Sequence, residues 1–215
     1  MRYFIELSYN GKNYHGWQIQ PKADTVQGKL QQAIQKITRQ NIQVVGAGRT
    51  DTGVHALQMF AHFDIAAEID LNFTYRLNAI LPNDIVIHAI TEENTEKHAR
   101  FDASKRSYKY QIWLGRNPFL LDFSWQFYMK SLDLKQMNEA AALLLSYTDF
   151  ECFSKVKTEV HTFNCNVTKA VWKQEGALLT FYISSNRFLR NMVRAVVGTL
   201  LDVGTGKITM SEFKT

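Results

Sequence analysis

The apolar residues of this chain change their period in a fixed order, and that order limits the folds open to it. Residues 2–9 (RYFIELSY) alternate, with Tyr3, Ile5, Leu7 and Tyr9 on one face, which predicts a half-buried strand. Residues 25–39 place Val26, Leu30, Ala33, Ile34 and Ile37 on one face of a helix. Asp24 or Thr25 can cap it, with Gln27 reaching back to the cap. Strands are predicted at 42–47 and 56–64, the second with Leu57, Met59, Ala61 and Phe63 facing one way. A helix over 71–81 ends at Pro82, and a strand covers 84–90. The order is β-α-β-β-α-β.

The second half repeats most of that order. Residues 107–114 alternate through Tyr108, Tyr110, Ile112 and Leu114. Residues 133–147 carry Leu134, Met137, Ala141, Leu144 and Leu145 at helical spacing. Residues 166–174 and 177–184 read as a hairpin turning at Glu175-Gly176. An apolar helix covers 187–203, with Gly204 as its stop. The fold expected is α+β: two RRM/ferredoxin-like lobes, each a split βαβ unit with a mainly antiparallel sheet. The lobes span 1–104 and 105–215, and the second apparently lacks its last strand. Either the chain was cut there or another segment fills that place.

Composition narrows the class. Of the 215 residues, 46% are hydrophobic and 21% charged, which is enough for a real core. A formal net charge of +5 allows a polyanionic partner without requiring one. Cys152 and Cys165 are too few for a disulfide framework, which points to the cytoplasm. With His161 they still lack a CxxC pair and a fourth ligand, so no metal is expected. No apolar run approaches a membrane span, and the N-terminus reads as a strand, not a signal peptide.

The run GAGRTDTGVHA, residues 46–56, joins two consecutive predicted strands. Gly48 and Gly53 have the spacing of a phosphate-binding P-loop, but Val54-His55 stand where Lys-Ser/Thr is needed, and a strand follows instead of a helix. Asp51 can bond its own loop backbone as an Asx turn, with the glycines at positive φ. It can equally be a reactive carboxylate, with Arg49 supplying local positive charge. Spacing alone leaves both readings open.

Ordered motifs along the chain decide between them. GRTDTGVHA resembles the signature loop of the tRNA pseudouridine synthase A family. YNGKNYHGWQIQ, TVQGKL, LNAILPNDI, HARFDA, RSYKYQI and NRFLRNMVRAVVGTLLDVG resemble the family's other motifs, in family order, from Arg2 to Gly204. The resemblance implies two lobes flanking a basic cleft in a homodimer that uses neither metal nor cofactor. It implies conversion of uridine to pseudouridine at positions 38, 39 and 40 of the tRNA anticodon stem-loop. Family members usually continue past the MVR helix through another helix and a closing strand, the strand missing from the repeat.

By motif, Asp51 corresponds to the catalytic aspartate, Tyr108 to the tyrosine that stacks on the target base, and Arg194 to the arginine that pairs with the aspartate. Arg49 corresponds to a loop arginine that holds the flipped nucleotide, and Thr50, Gly53 and His55 belong to the same substrate-contacting loop. Arg187, Arg190 and Arg194 are expected to share one helical stripe along a cleft wall. Arg100, Lys105, Arg106 and Lys109 cluster near the lobe boundary and read as phosphate contacts. A base inside a stem must leave the stack before C1′ can be reached, which is why a stacking tyrosine is needed. The rival reading is a non-catalytic or poorly active RNA-binding module. The RRM octapeptide K/R-G-F/Y-G/A-F-V-x-F/Y is not found in the sequence.

Overall fold

The computed structural model describes residues 1–128, 131–155 and 161–214. Packing divides the chain into Met1–Ala103 and Ser104–Thr215.

The first unit runs β1 (Arg2–Tyr9), α1 (Val26–Thr38), β2 (Val44–Gly46), β3 (Ala56–Asp64), α2 (Phe73–Ile80) and β4 (Ile85–Glu93). Its sheet has the order β2-β3-β1-β4, and every neighbouring pair is antiparallel. Tyr3, Ile5, Leu7 and Tyr9 bury the face that the alternation assigned to them, in one core with Leu30 and Ile34 of α1 and Leu77 of α2. Leu57 departs from expectation and is 74% exposed. The pairing slips between Leu7 and Tyr9, so Tyr9 faces Ala56 and the inward set of β3 begins at Met59.

Thr25 caps α1, accepting a hydrogen bond from the Gly28 N–H at 3.3 Å. Gln27 does not reach back, because the third helical position, where a capping box needs Glu or Gln, is Gly28. Instead Gln27 accepts from Ile19 N–H at 2.9 Å and donates to the Val44 carbonyl at 2.7 Å. Gln31 accepts from Val44 N–H at 3.1 Å. The other edge strand is tied similarly, since Asn78 of α2 accepts from Ile87 N–H at 2.8 Å and donates to its carbonyl at 2.9 Å.

The second unit runs β5 (Arg106–Leu114), β6 (Trp125–Phe127), α3 (Leu134–Leu143), β7 (Val167–Glu175), β8 (Leu178–Ser185), α4 (Met192–Gly204) and α5 (Met210–Phe213). Its sheet has the order β6-β5-β8-β7. Among the described residues no strand follows α4, and of the two alternatives it is another segment that fills the place: β6 lies at the edge of β5 and makes the fourth strand. It comes from the β5–α3 connection and runs parallel to β5, pairing Ile112 with Trp125. A segment of that length is too short for alternation to reveal it. Asn138 of α3 ties the opposite edge, accepting from Trp172 N–H at 2.8 Å.

α4 also differs from the reading. It starts at Met192, not at 187, because Asn191 takes the left-handed conformation (φ 68°) and interrupts the helical run. Arg187 and Arg190 therefore precede the helix and share no helical stripe with Arg194. At the other end Gly204 is still helical, and a side chain there would collide with Met137 of α3. The stop is Gly206, at φ 71°. Its N–H donates to Val203 at 3.0 Å and the Lys207 N–H to Asp202 at 2.9 Å, a Schellman closure.

His62 lies on the sheet face away from the core yet is buried. Its Nδ1 accepts from Ala99 N–H at 3.1 Å, and Arg2 clamps the covering segment through the Thr95 and Lys97 carbonyls at 2.6 Å each. Burial first, then Arg2 and His98, hold His62 below its ordinary value of 6.5. The unfolded chain then binds the extra proton first as pH falls. Stability from this site is full above about pH 6.5 and is lost as pH drops through the lower folded-state value. Chemical denaturation between pH 8 and 5 should show that fall, and His62→Gln should flatten it.

Candidate active site

Residues 47–55 leave β2 and return as β3, and their backbone is fixed by a second loop that follows β1. The Trp17 N–H donates to the Thr50 carbonyl at 3.3 Å, and the Gly53 N–H donates to the Tyr14 carbonyl at 3.2 Å. The Gly11 N–H donates to His55 Nδ1 at 3.0 Å, and the Tyr9 and Thr50 hydroxyls lie 2.9 Å apart. The approach is close enough to require glycine. A Cβ at Gly11 would meet the Val54 carbonyl, and one at Gly16 (φ 83°) would meet that of Thr50. Trp17 is 1% exposed, with its indole against Gly46. Tyr14 donates its hydroxyl proton to Asp84 at 2.5 Å, and burial together with that bond pushes the phenol well above its usual range.

Asp51 sits exposed at the tip of this fixed loop. Its backbone carbonyl accepts from Val54 N–H at 3.2 Å. Its carboxylate accepts no hydrogen bond within its own unit among the described residues. The chain forms Asx turns elsewhere: Asp70 accepts from Asn72 N–H at 2.8 Å and Asp149 from Glu151 N–H at 2.9 Å. Asp51 is not used that way, so backbone contacts hold the loop and its carboxylate is left for other chemistry. Arg49 is exposed two residues earlier, and Gly53 takes φ 78° with open space beside it. Thr50 and His55 are half-buried and serve the loop contacts just described. Arg100 lies in the same unit but on another segment, exposed beside the His98–Phe101 ring stack.

The second unit gathers its own candidates around the link from β8 to α4. Tyr108 of β5 is half-buried and meets Phe188 edge-on, with ring centroids 5.1 Å apart at 86°. Arg106 donates to the Asn186 carbonyl at 2.7 Å. The Asn186 side chain accepts from the N–H groups of Asn166 at 2.8 Å and Arg187 at 2.9 Å. Lys155 N–H donates to the Arg190 carbonyl at 3.1 Å, so the link is held at both ends. Arg187 is half-buried, whereas Lys105, Arg190 and Arg194 are exposed, Arg194 in the first turn of α4. Sequence reasoning missed Phe188, Tyr9, Tyr14 and Trp17 as site-shaping residues. The signal for the last three was present in the glycines of YNGKNYHGW, which mark close backbone approach around bulky aromatics.

A sequence model described as tRNA pseudouridine synthase matches residues 7–102 and 140–215. The chain belongs to the tRNA pseudouridine synthase family. It is 49% identical to the tRNA pseudouridine synthase A of Parabacteroides distasonis over 215 residues, 99% of this chain and 85% of that protein. It is 49% identical to that of Porphyromonas gingivalis over 99% of this chain and 86% of the relative. Against that of Bacillus licheniformis the identity is 38%, over 100% of this chain and 88% of the relative. Among the described residues no His, Cys, Asp and Glu are grouped so as to hold a metal, and no helix is long and apolar enough to cross a membrane.

The Tyr9–Thr50 hydroxyl contact should be measurable directly. A double-mutant cycle of Tyr9→Phe and Thr50→Val in urea unfolding should give a coupling of about 1 kcal/mol, the usual net worth of a hydrogen bond.

Proposed function

We propose that this tRNA-uridine isomerase acts at positions 38, 39 and 40 of the anticodon stem-loop, with Asp51 as the reacting carboxylate. The observation that carries the assignment is a carboxylate kept out of its own loop's hydrogen bonding while the loop backbone is fixed on both sides. The reaction breaks the N1–C1′ bond, turns the uracil and makes a C5–C1′ bond, releasing the C5 proton. No electrons are transferred, so the chemistry calls for no redox cofactor. An ionised carboxylate either attacks C1′ or takes the 2′ proton, and a pocket retains the freed base meanwhile.

Arg194 is the guanidinium assigned to Asp51, where an opposite charge favours the ionised form. Tyr108 is the platform for the flipped base, and its edge-on contact with Phe188 limits the ring's rotation. Arg49, Thr50, Gly53 and His55 approach the nucleotide through the loop. Arg100, Lys105, Arg106, Arg187 and Arg190 are read as phosphate contacts that position the tRNA. The strand order β2-β3-β1-β4 supports reading the lobes as RRM/ferredoxin-like, and the basic cleft between them, the homodimer and the cytoplasmic location follow from the family resemblance. A purely RNA-binding role is the weaker reading, since binding alone gives no use for an exposed aspartate on so rigid a loop.

Tritium release from tRNA carrying [5-³H]uridine in the anticodon arm tests this. The parent chain should release tritium. Asp51→Asn and Asp51→Ala should retain tRNA on filters and lose release by about 10²–10⁴-fold or more. Release by Asp51→Ala at the parent rate would refute the assignment.

A further inference from the structure

The open face of the second sheet carries a chemistry that the isomerisation itself does not use. Side chains alternate across a strand, so register identifies the residues that face away from α3 and α4. Ile112, Phe181, Ile183, Ala170 and Trp172 take the core face. On the other face Lys109 pairs with Tyr182, and Tyr182 pairs with Val171. Lys169 and Lys173 flank Val171 on that same face. All three lysines are exposed, and Tyr182 is half-buried with the Lys169 ammonium 5.2 Å from its ring centroid. None of these lysines has an ion pair among the described residues.

The first sheet is the internal contrast. Its strands carry Glu6, Asp64, Glu92 and Glu93, and their one Lys or Arg, Arg2, is held by Asp64 through Nε and Nη2 at 2.8 Å. On its open face Glu6 accepts from Gln58 at 2.7 Å and Ser8 bonds His88 at 2.8 Å. The positive charge on the second sheet is therefore a local feature, not a property of every exposed strand. A tyrosine between ammonium groups on a strand face matches one ligand chemistry well. The ring offers a face for stacking, and the lysines neutralise the phosphates on either side. A base inside a duplex has no free face to offer, so the match is to unstacked nucleotides.

We propose that this face binds unstacked, single-stranded nucleotides of the tRNA substrate, with Tyr182 as the stacking platform and Lys169 and Lys173 on the phosphates. The proposal rests on the reading of tRNA as substrate. It adds an RNA contact to those assigned to the reaction, on the sheet face opposite Tyr108.

Binding of an unmodified tRNA transcript, followed by fluorescence anisotropy across a salt series, tests it. Lys169→Ala with Lys173→Ala should lower the slope of log affinity against log salt by about 1.4–1.8, since each lost phosphate contact removes about 0.7–0.9. Tyr182→Ala should weaken binding about 5- to 150-fold, while Tyr182→Phe keeps the affinity because only the ring face is used. Lys135→Ala, on the exposed flank of α3, should leave the slope unchanged. A double lysine variant with the parent slope, or one that alters self-association and not tRNA affinity, overturns the proposal. A parent chain that binds no tRNA at all would remove the reading beneath it as well.

Discussion

The structure turns on one crossing: the loop after β1 passes against the loop between β2 and β3, and the two backbones bond to each other. Trp17 and Tyr14 supply the main-chain partners of Thr50 and Gly53, and His55 returns a bond to Gly11. Each such bond adds only about 0.5–1.5 kcal/mol net. Together they restrain both ends of a loop whose central side chain stands in solvent. An exposed loop without that restraint would sample many conformations, and catalysis depends on reacting groups held close to one geometry. The glycines at 11 and 16 are what allow the approach, and the buried indole of Trp17 against Gly46 anchors it to the sheet.

A second theme recurs in both units. Edge strands are fastened by amide side chains from the helices that cover them: Gln27 and Gln31 on Val44, Asn78 on Ile87, Asn138 on Trp172. These amides are satisfied by backbone groups that a sheet edge would otherwise leave open. The helices thus close one face of each sheet and fasten three of the four edges; on the other face the first unit buries His62 under residues 95–99. In the second unit that face carries lysines and a tyrosine.

Much of this was legible in the sequence where a period repeats often enough. The alternation in RYFIELSY and the helical spacing of Val26, Leu30, Ala33 and Ile34 each predict a buried face that the core contains. The failures come from features without a period. β6 is three residues long and pairs only through tertiary context. The start of α4 depends on one left-handed residue, Asn191, inside an otherwise helical apolar pattern. Leu57 falls to a register slip that no alternation rule anticipates. At the site, spacing left Asp51 open to an Asx-turn reading and the family motifs favoured a reactive carboxylate; the hydrogen-bond pattern, in which only the Asp51 backbone carbonyl accepts from Val54, shows no Asx turn there. Gln27 could be read as part of a cap because its real partners, Ile19 and Val44, are not its helix neighbours.

The most direct test of this account is the single-turnover rate of pseudouridine formation in tRNA by Gly16→Ala, beside filter binding and a thermal melt. The added methyl would meet the Thr50 carbonyl oxygen and lie 3.1 Å from the Asp51 carbonyl carbon, at a backbone angle that disfavours alanine. If the crossing sets the position of Asp51, the folded variant should still hold tRNA while its rate falls about 100-fold, the cost of misplacing a reacting group by about 1 Å. A folded variant that turns over within about threefold of the parent would contradict the claim that this crossing positions the carboxylate.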